Sequence, residues 1–419
     1  MSANALLESP ALPEFEPMPE VAAPTATPRK SPRYESLDMW RGLCCLMLVV
    51  FHTTMQAARH YFVDESGTVN GPAALGLWLA SRAWIGVPIF FVISGYCIMA
   101  TLHARQKKGG VIEFAKRRFW RIYPPYWTAI GLSAVAILAL NTRWPGLTHD
   151  GIFTVPNPQA MTGWEWLGNL TLTESWRHCV FGGEAQHLLP NTWTLCYEEQ
   201  FYFVAALILM FAPRRIFAAA AVVTGVVLVG KTIAWRSGAD VKGSLFDGGW
   251  FQIAAGILLY YRVNKATSLQ KHLIHAVLAL GILISLRNPS RLLEFLPNGD
   301  VERLVACSFA LLASFLYPFD QKMRKSAWLT PLRFVGGMSY SVYLCHPLIA
   351  KGISYGLFRS GVTGNAATLL VVLPLCVAAS LAGAYVFHRL IERHYIPASR
   401  PSGASASHLR GLSLTQASS

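Results

Sequence analysis

The chain keeps offering apolar stretches long enough to cross a lipid bilayer, and that repetition dictates what it can fold into. The stretches run roughly over 37–57, 75–102, 123–140, 193–211, 216–234, 245–261, 272–286, 303–317, 334–352 and 365–389. A hydrocarbon core needs about 20 apolar residues of helix, and the shorter stretches near ~17 fit as short or tilted spans. The expected fold is therefore all-α: a polytopic membrane helix bundle of about 10 transmembrane helices. Composition agrees, with 53% hydrophobic and only 14% charged residues, where a soluble domain carries about a quarter charged.

The net charge of +14 sets topology rather than recruiting nucleic acid. Basic residues crowd the segments that would face the cytoplasm if the N-terminus lies inside, most densely from Arg105 to Arg121. The opposite side receives about half as many. This positive-inside bias places both termini in the cytoplasm. No nucleic-acid partner is expected; the partner of the fold is the lipid bilayer.

Residues 1–33 are rich in Pro, Ala and Glu and read as a disordered cytoplasmic tail, not a signal peptide. Residues 34–397 form one membrane domain, and the Ser/Ala-rich 398–419 a second disordered tail. The eight cysteines show neither CxxC nor metal-ligand spacing, so no metal is expected. Cys179 and Cys196 leave a disulfide open on the outer side. The loop over 141–190 carries Trp144, Trp164, Trp166 and Trp176 and reads as an ordered, functional lid rather than a linker. Two short patterns carry no weight: His60-x-x-x-Asp64 lacks the soluble fold that gives HxxxD its meaning, and Asn169-Leu-Thr171 is a bare glycosylation sequon.

Chemistry is expected where polar groups interrupt the spans. Arg41 and His52 lie eleven positions apart in the first span. At about 100° per residue they share one helix face, roughly 16 Å apart along the axis. Ionisable groups in a membrane segment cost on the order of 3 kcal/mol each, so two on one stripe mark a site. Asp38, one turn before Arg41, can pair with it. A neutral His52 suits a general base for a hydroxyl or a nucleophile toward an activated acyl group, with helix packing as its plain alternative. Arg118 and Arg121, one turn apart at the entrance of the third span, suit the phosphates of a nucleotide-like donor, although stop-transfer charge explains them too. Pro124 and Pro125 fit the start of that helix.

Trp193-Thr-Leu-x-x-Glu198-Glu199-x-x-Tyr202 enters the fourth span. Its two carboxylates point about 100° apart, so one is expected toward the bundle and the other toward solvent or headgroups. In the ninth span Ser339, Tyr340, Tyr343 and His346 line up at helical spacing behind the small residues Gly336 and Gly337.

Taken in order, these segments resemble the integral-membrane acyltransferase-3 family, O-acyltransferases of cell-envelope glycans, over roughly residues 34–392. The carriers are Leu37-Asp38-x-x-Arg41-Gly42 with His52, Gly86-Val87-Pro88-x-Phe90-Phe91 with Ser94-Gly95-Tyr96, Arg118-x-x-Arg121-Ile-x-Pro124, Trp193-Thr-Leu-x-x-Glu198-x-x-Phe201-Tyr202, and Ser339-Tyr340-x-x-Tyr343-Leu-x-His346. Pro88, Thr194 and Tyr96 depart from the residues common there; none touches the Arg41/His52 pair. The resemblance implies transfer of an acyl group, expected to be acetyl, from cytoplasmic acetyl-CoA (acyl-CoA as co-substrate, with no bound cofactor) to a hydroxyl of an envelope or exported glycan or glycolipid. It implies catalytic roles for His52, Glu198 and Arg41, and donor binding by Arg118, Arg121 and Asp38. Trp193, Tyr202, Ser339, Tyr340, Tyr343 and His346 would line the acceptor pocket. Direct transfer and an acyl-histidine intermediate both fit. The expected location is the bacterial inner membrane, with envelope polysaccharide-biosynthesis proteins as candidate partners. The rival is a transporter or flippase of a glycolipid or acyl donor that uses the same polar stripe as a path.

Overall fold

The computed structural model describes residues 34, 36–57, 69–105, 110–144, 146–148, 154–287 and 299–396. The two tails, and the segment carrying His60 and Asp64, lie outside the described residues. All regular structure among the described residues is helical. The helices are α1 (Leu37–Ala57), α2 (Pro72–Ala80), α3 (Gly86–Arg105), α4 (Val111–Arg143), α5 (Gly163–Thr171), α6 (Glu174–Phe181), α7 (Trp193–Phe211) and α8 (Ile216–Ser237). They continue with α9 (Gly249–Asn264), α10 (Ser268–Ser285), α11 (Gly299–Leu316), α12 (Asp320–Lys325), α13 (Thr330–Gly337), α14 (Ser339–Arg359) and α15 (Leu373–Leu390).

Among the described residues, seven stretches are long and apolar enough to cross a membrane: Pro72–Arg105, Val111–Arg143, Pro190–Phe211, Ile216–Ser237, Ser268–Ser285, Gly299–Lys325 and Asn365–Leu390. Three further long helices, α1, α9 and α14, fall short of that standard for identifiable reasons. Helix α9 has 16 residues. Helix α1 carries Asp38, Arg41, His52 and Gln56, and α14 carries His346 and Lys351. Helices α8 and α10 behave oppositely. They expose Val222, Val226 and Val229, and Leu273, Val277 and Leu280, at a three-to-four-residue spacing that suits a hydrocarbon-facing stripe. The protein is thus a multi-pass helical membrane protein whose most polar long helices are its inner ones.

Two glycine crossings set how deeply those inner helices sit. A Cβ on Gly42 of α1 would lie 1.9 Å from the Leu332 carbonyl oxygen, and one on Gly336 would lie 1.7 Å from that of Asp38. The backbones of α1 and α13 touch there, as the small residues before Ser339 led one to expect. A second reciprocal crossing joins α3 and α9: a Cβ on Gly95 would meet the Ile253 carbonyl at 2.2 Å, and one on Gly256 that of Val92 at 2.0 Å.

Local structure corrects the sequence reading in two places. Pro124 and Pro125 do not begin a helix; they lie inside α4, which starts at Val111. The basic run therefore rides on helix rather than loop, with Pro124 and Pro125 leaving the Trp120 and Arg121 carbonyls without their helical N–H partners. The open disulfide is not made either. Cys179 is exposed and donates to the Lys242 carbonyl, while Cys196 is buried in the core.

The described part of the long aromatic loop, residues 154–190, forms a cap built on α5 and α6. Thr162 and Glu165 form a capping box on α5. Glu174, fully buried, holds Arg177 through two hydrogen bonds of 2.9 and 3.0 Å and accepts the Gln186 N–H at 2.8 Å. The sequon asparagine is structural: the Asn169 amide donates to the Glu165 and Gln186 carbonyls at 2.8 and 2.7 Å, and its oxygen accepts the Leu188 N–H. The Tyr126 hydroxyl of α4 ties this cap to the bundle through the Asn169 carbonyl at 2.7 Å.

Candidate active site

At one end of α1 the predicted charges assemble into a connected cluster. Arg41 donates to Asp38 at 3.1 Å and to the Cys97 sulfur of α3 at 3.1 Å. Across from it, Glu198 of α7 accepts the Ser94 hydroxyl at 2.6 Å and the Tyr202 hydroxyl at 3.4 Å. Arg118 donates to that same Tyr202 oxygen at 3.2 Å and lies over the Tyr202 ring, 4.5 Å from its centroid, where the ring's negative face attracts the cation. Arg121 is exposed and lies within electrostatic range of Arg41, Arg118 and Glu392. Three guanidiniums from two helices thus converge, with Asp38 paired to Arg41, Glu199 within electrostatic range of Arg118, Glu392 of Arg121, and Glu198 reached through Tyr202. Such a cluster is built to receive phosphate or another polyanion.

Eleven residues along the same helix the setting reverses. His52 is 7% exposed, and its ring lies 5.1 Å, centroid to centroid, from that of His346, which is 1% exposed. The His346 Nδ1 lies 2.7 Å from the Val342 carbonyl. A carbonyl only accepts, so Nδ1 carries the proton and Nε2 presents its lone pair. Two imidazoles from different helices therefore meet in a buried, low-dielectric pocket, a setting suited to moving a proton off a hydroxyl.

Between the two ends lies a polar layer of tyrosines. The Tyr343 hydroxyl donates to the Asn191 carbonyl at 2.6 Å and lies 3.0 Å from the Thr194 hydroxyl. The Tyr340 hydroxyl donates to the Ile122 carbonyl at 2.8 Å, and the two tyrosine rings stack 6.4 Å apart. These bonds lock α14 against α4 and the start of α7.

Not every expected residue joins the site. Trp193 packs its ring on Tyr197, at 5.8 Å, and gives its carbonyl to Ser175 of the cap. Ser339 offers its carbonyl to the Cys45 thiol and sits seven residues, about 10 Å, back from His346 along α14. The two carboxylates of α7 do not split between bundle and solvent: both are half-buried, and Glu199 accepts the Tyr123 hydroxyl of α4 at 3.4 Å. Three participants escaped the sequence reading. Ser94 was visible only as part of a motif, although a hydroxyl deep in a span signals a polar neighbour. Buried Glu392 accepts the N–H and hydroxyl of Ser341 and faces His388 Nδ1 at 2.8 Å. Gln56, one turn beyond His52, donates to the Pro347 carbonyl at 3.5 Å.

The comparisons with known proteins fall on the same residues. Residues 34–389 match the family described as "Acyltransferase domain". A putative peptidoglycan O-acetyltransferase of Bacillus subtilis is 27% identical over 294 residues, covering 64% of this chain and 44% of that protein. The peptidoglycan O-acetyltransferase of Listeria monocytogenes is 26% identical over 352 residues, covering 77% and 50%. An O-acetyltransferase of Staphylococcus aureus is 24% identical over 354 residues, covering 78% and 52%. The chain spans about half the length of these curated relatives. No solved structure matches it. With the matched region reaching from the residues before α1 to the end of α15, and so enclosing both the arginine cluster and the histidine pair, the chain belongs to the acyltransferase-domain family.

Proposed function

We propose that this protein is a membrane O-acetyltransferase that moves an acetyl group from a cytoplasmic acyl-CoA to a hydroxyl of an envelope glycan. The observation that carries the reading is the polarity of α1: its Arg41 end gathers three arginines, and its His52 end meets a second buried histidine. The relatives, peptidoglycan O-acetyltransferases by name among them, support the acetyl group and the cell-wall glycan. In this reading ten helices cross the inner membrane of a bacterium (α1, α3, α4, α7 to α11, α14 and α15). Their alternation returns both termini to the cytoplasm and turns the arginine end inward.

The chemistry then follows the axis of α1. Arg118 and Arg121 hold the donor's phosphates, and Arg41, oriented by Asp38, steadies the donor nearer the bilayer centre. Glu198 keeps Tyr202 and Ser94 in place beside that path. At the far end His52 accepts the proton of the acceptor hydroxyl as its oxygen attacks the thioester carbonyl. The new C–O bond forms, the C–S bond breaks, and the coenzyme leaves as the thiol carrying the proton.

The test is mass spectrometry of cell-wall glycans from cells lacking the protein, complemented with wild type or His52→Ala at matched membrane levels. Wild type restores an acetyl mass increment, and the alanine variant transfers at least about 100-fold more slowly, the lower range for loss of a general base. Full restoration by His52→Ala would make His52 a packing residue. No acyl difference with wild type would sink the enzyme reading and bring transport forward.

A further inference from the structure

Among the buried side-chain atoms of the histidine end without a hydrogen-bond partner among the described residues, beside the Thr53 and Thr54 hydroxyls, are the acceptors Oε1 of Gln56, Oδ1 of Asn191 and Nε2 of His346. The residues of these three acceptors are 6%, 4% and 1% exposed. In each case the acceptor assignment follows from the other end of the group. The Gln56 amide nitrogen donates to the Pro347 carbonyl at 3.5 Å, the Asn191 amide nitrogen to the Tyr343 carbonyl at 2.6 Å, and His346 Nδ1 to the Val342 carbonyl at 2.7 Å. Carbonyls accept only, so neither amide can be flipped and the histidine tautomer is set.

The Tyr343 anchor has an identifiable origin. Pro347 lies inside α14 and lacks the N–H that would bond the Tyr343 carbonyl. That freed carbonyl is the one Asn191 takes. Tyr343 and Pro347 are one turn apart, about 6 Å along the axis, so one helix segment orients side chains from α1, from the start of α7 and from itself. Each leaves an acceptor atom unpartnered, while each amide nitrogen keeps a second N–H beyond the one given to its carbonyl. A buried acceptor without a donor is unfavourable, and a set of them favours a ligand that brings donors. His346 also touches His52, which places such a ligand beside the proposed base.

We propose that Gln56, Asn191 and His346 form the subsite that grips the acceptor glycan by its hydroxyl and amide N–H donors. This rests on the O-acetyltransfer reading above. The pantetheine arm of coenzyme A also carries N–H and O–H donors, so the experiment separates the two sources.

The full chain in detergent micelles is titrated with an N-acetylglucosamine tetrasaccharide, with its O-methylated derivative and with coenzyme A, and acetyl transfer from acetyl-CoA to the tetrasaccharide is followed in parallel. Wild type is compared with Gln56→Met, which removes the acceptor, and Gln56→Glu, which keeps it and in its protonated form still donates to Pro347. The expected result is tetrasaccharide affinity about tenfold weaker in Gln56→Met, the scale of one lost hydrogen bond at its upper range. Gln56→Glu retains it, coenzyme A affinity is unchanged in both, and the O-methylated sugar binds wild type no better than Gln56→Met. Equal sugar affinity in wild type and Gln56→Met, no sugar binding by wild type, or a loss confined to coenzyme A would each overturn the subsite. Acetyl transfer that persists alongside such a result leaves the acetyltransferase reading standing. Sugar binding that depends on Gln56 without any transfer would overturn that reading and leave the subsite.

Discussion

The two ends of α1 solve the problem of polar groups in a membrane helix in opposite ways. At the Arg41 end every charge has a neighbour of the other sign or a hydroxyl: Arg41 has Asp38, Arg118 has Tyr202, and Tyr202 has Glu198. The groups stay half-exposed, where water moderates the cost of their charge. At the His52 end the side chains of His52, His346, Gln56 and Asn191 are almost fully buried, and an acceptor of each of the last three has no hydrogen-bond partner among the described residues. A solvated, satisfied cluster tolerates arrival and departure of a charged ligand. A buried, under-satisfied one gains from a ligand that completes it. One helix therefore carries a half-exposed charged cluster at one end and a buried histidine pair at the other.

The comparison breaks first if the two ends lose their common depth. Gly42 lets α1 touch α13, and Gly42→Ala would drive a methyl to within 1.9 Å of the Leu332 carbonyl. Backbone must shift, and a destabilisation of about 3 kcal/mol is expected, at the upper end for overpacking. Thermal unfolding of the detergent-solubilised protein, together with a loss of activity at both ends, would register it; unchanged stability would mean the crossing relaxes freely. A narrower change tests the entrance alone. Arg118→Gln should raise the apparent KM for acetyl-CoA about 10- to 100-fold, the range for a charge-assisted hydrogen bond, while the acceptor KM stays put. A shift in the acceptor KM instead would show that the arginine end does not belong to the donor.

The smallest effect concerns the cap over α7. Burial, with His178 nearby, pushes His187 down to about 4, and its ring lies between the hydroxyls of Ser175 and Thr192 at 3.4 and 3.3 Å. The unfolded histidine titrates near ~6.5. The neutral ring's contribution is therefore complete above that pH and is lost progressively as pH falls toward about 4. The cap should loosen by on the order of 1–3 kcal/mol across that window. Hydrogen exchange over α5 and α6 at pH 7 and pH 5 would reveal it, and His187→Gln should flatten the difference.

Much of this was legible in the residues. Helices and their approximate ends follow from runs of apolar side chains, which a bilayer translates directly into length. The Asp38–Arg41 pair and the shared face of Arg41 and His52 follow from helical periodicity. Signals were weaker where polarity and function coincide. Helices α1, α9 and α14 are the least membrane-like of the long helices, because they carry site residues or pack by glycine rather than by bulk. The prolines of α4 read as a helix start because proline favours a first turn, and local sequence gives no hint that the helix already begins at Val111.

Long-range pairing lay beyond any periodicity. The hydrogen bond from Ser94 to Glu198 joins residues 104 apart, and Asn191 finds the Tyr343 carbonyl across 152. A helix's own sequence determines which side chains share its face, because the 3.6-residue repeat is intrinsic to the backbone. Which faces oppose one another is decided only by packing: by Gly42 against Leu332, by Gly95 against Ile253, and by a proline that frees one carbonyl for a partner from another helix. The chain by itself thus determined a helical membrane protein with an arginine-to-histidine stripe. The tertiary structure alone brought His346 to His52, because that meeting depends on helix depth and rotation, which no single helix encodes.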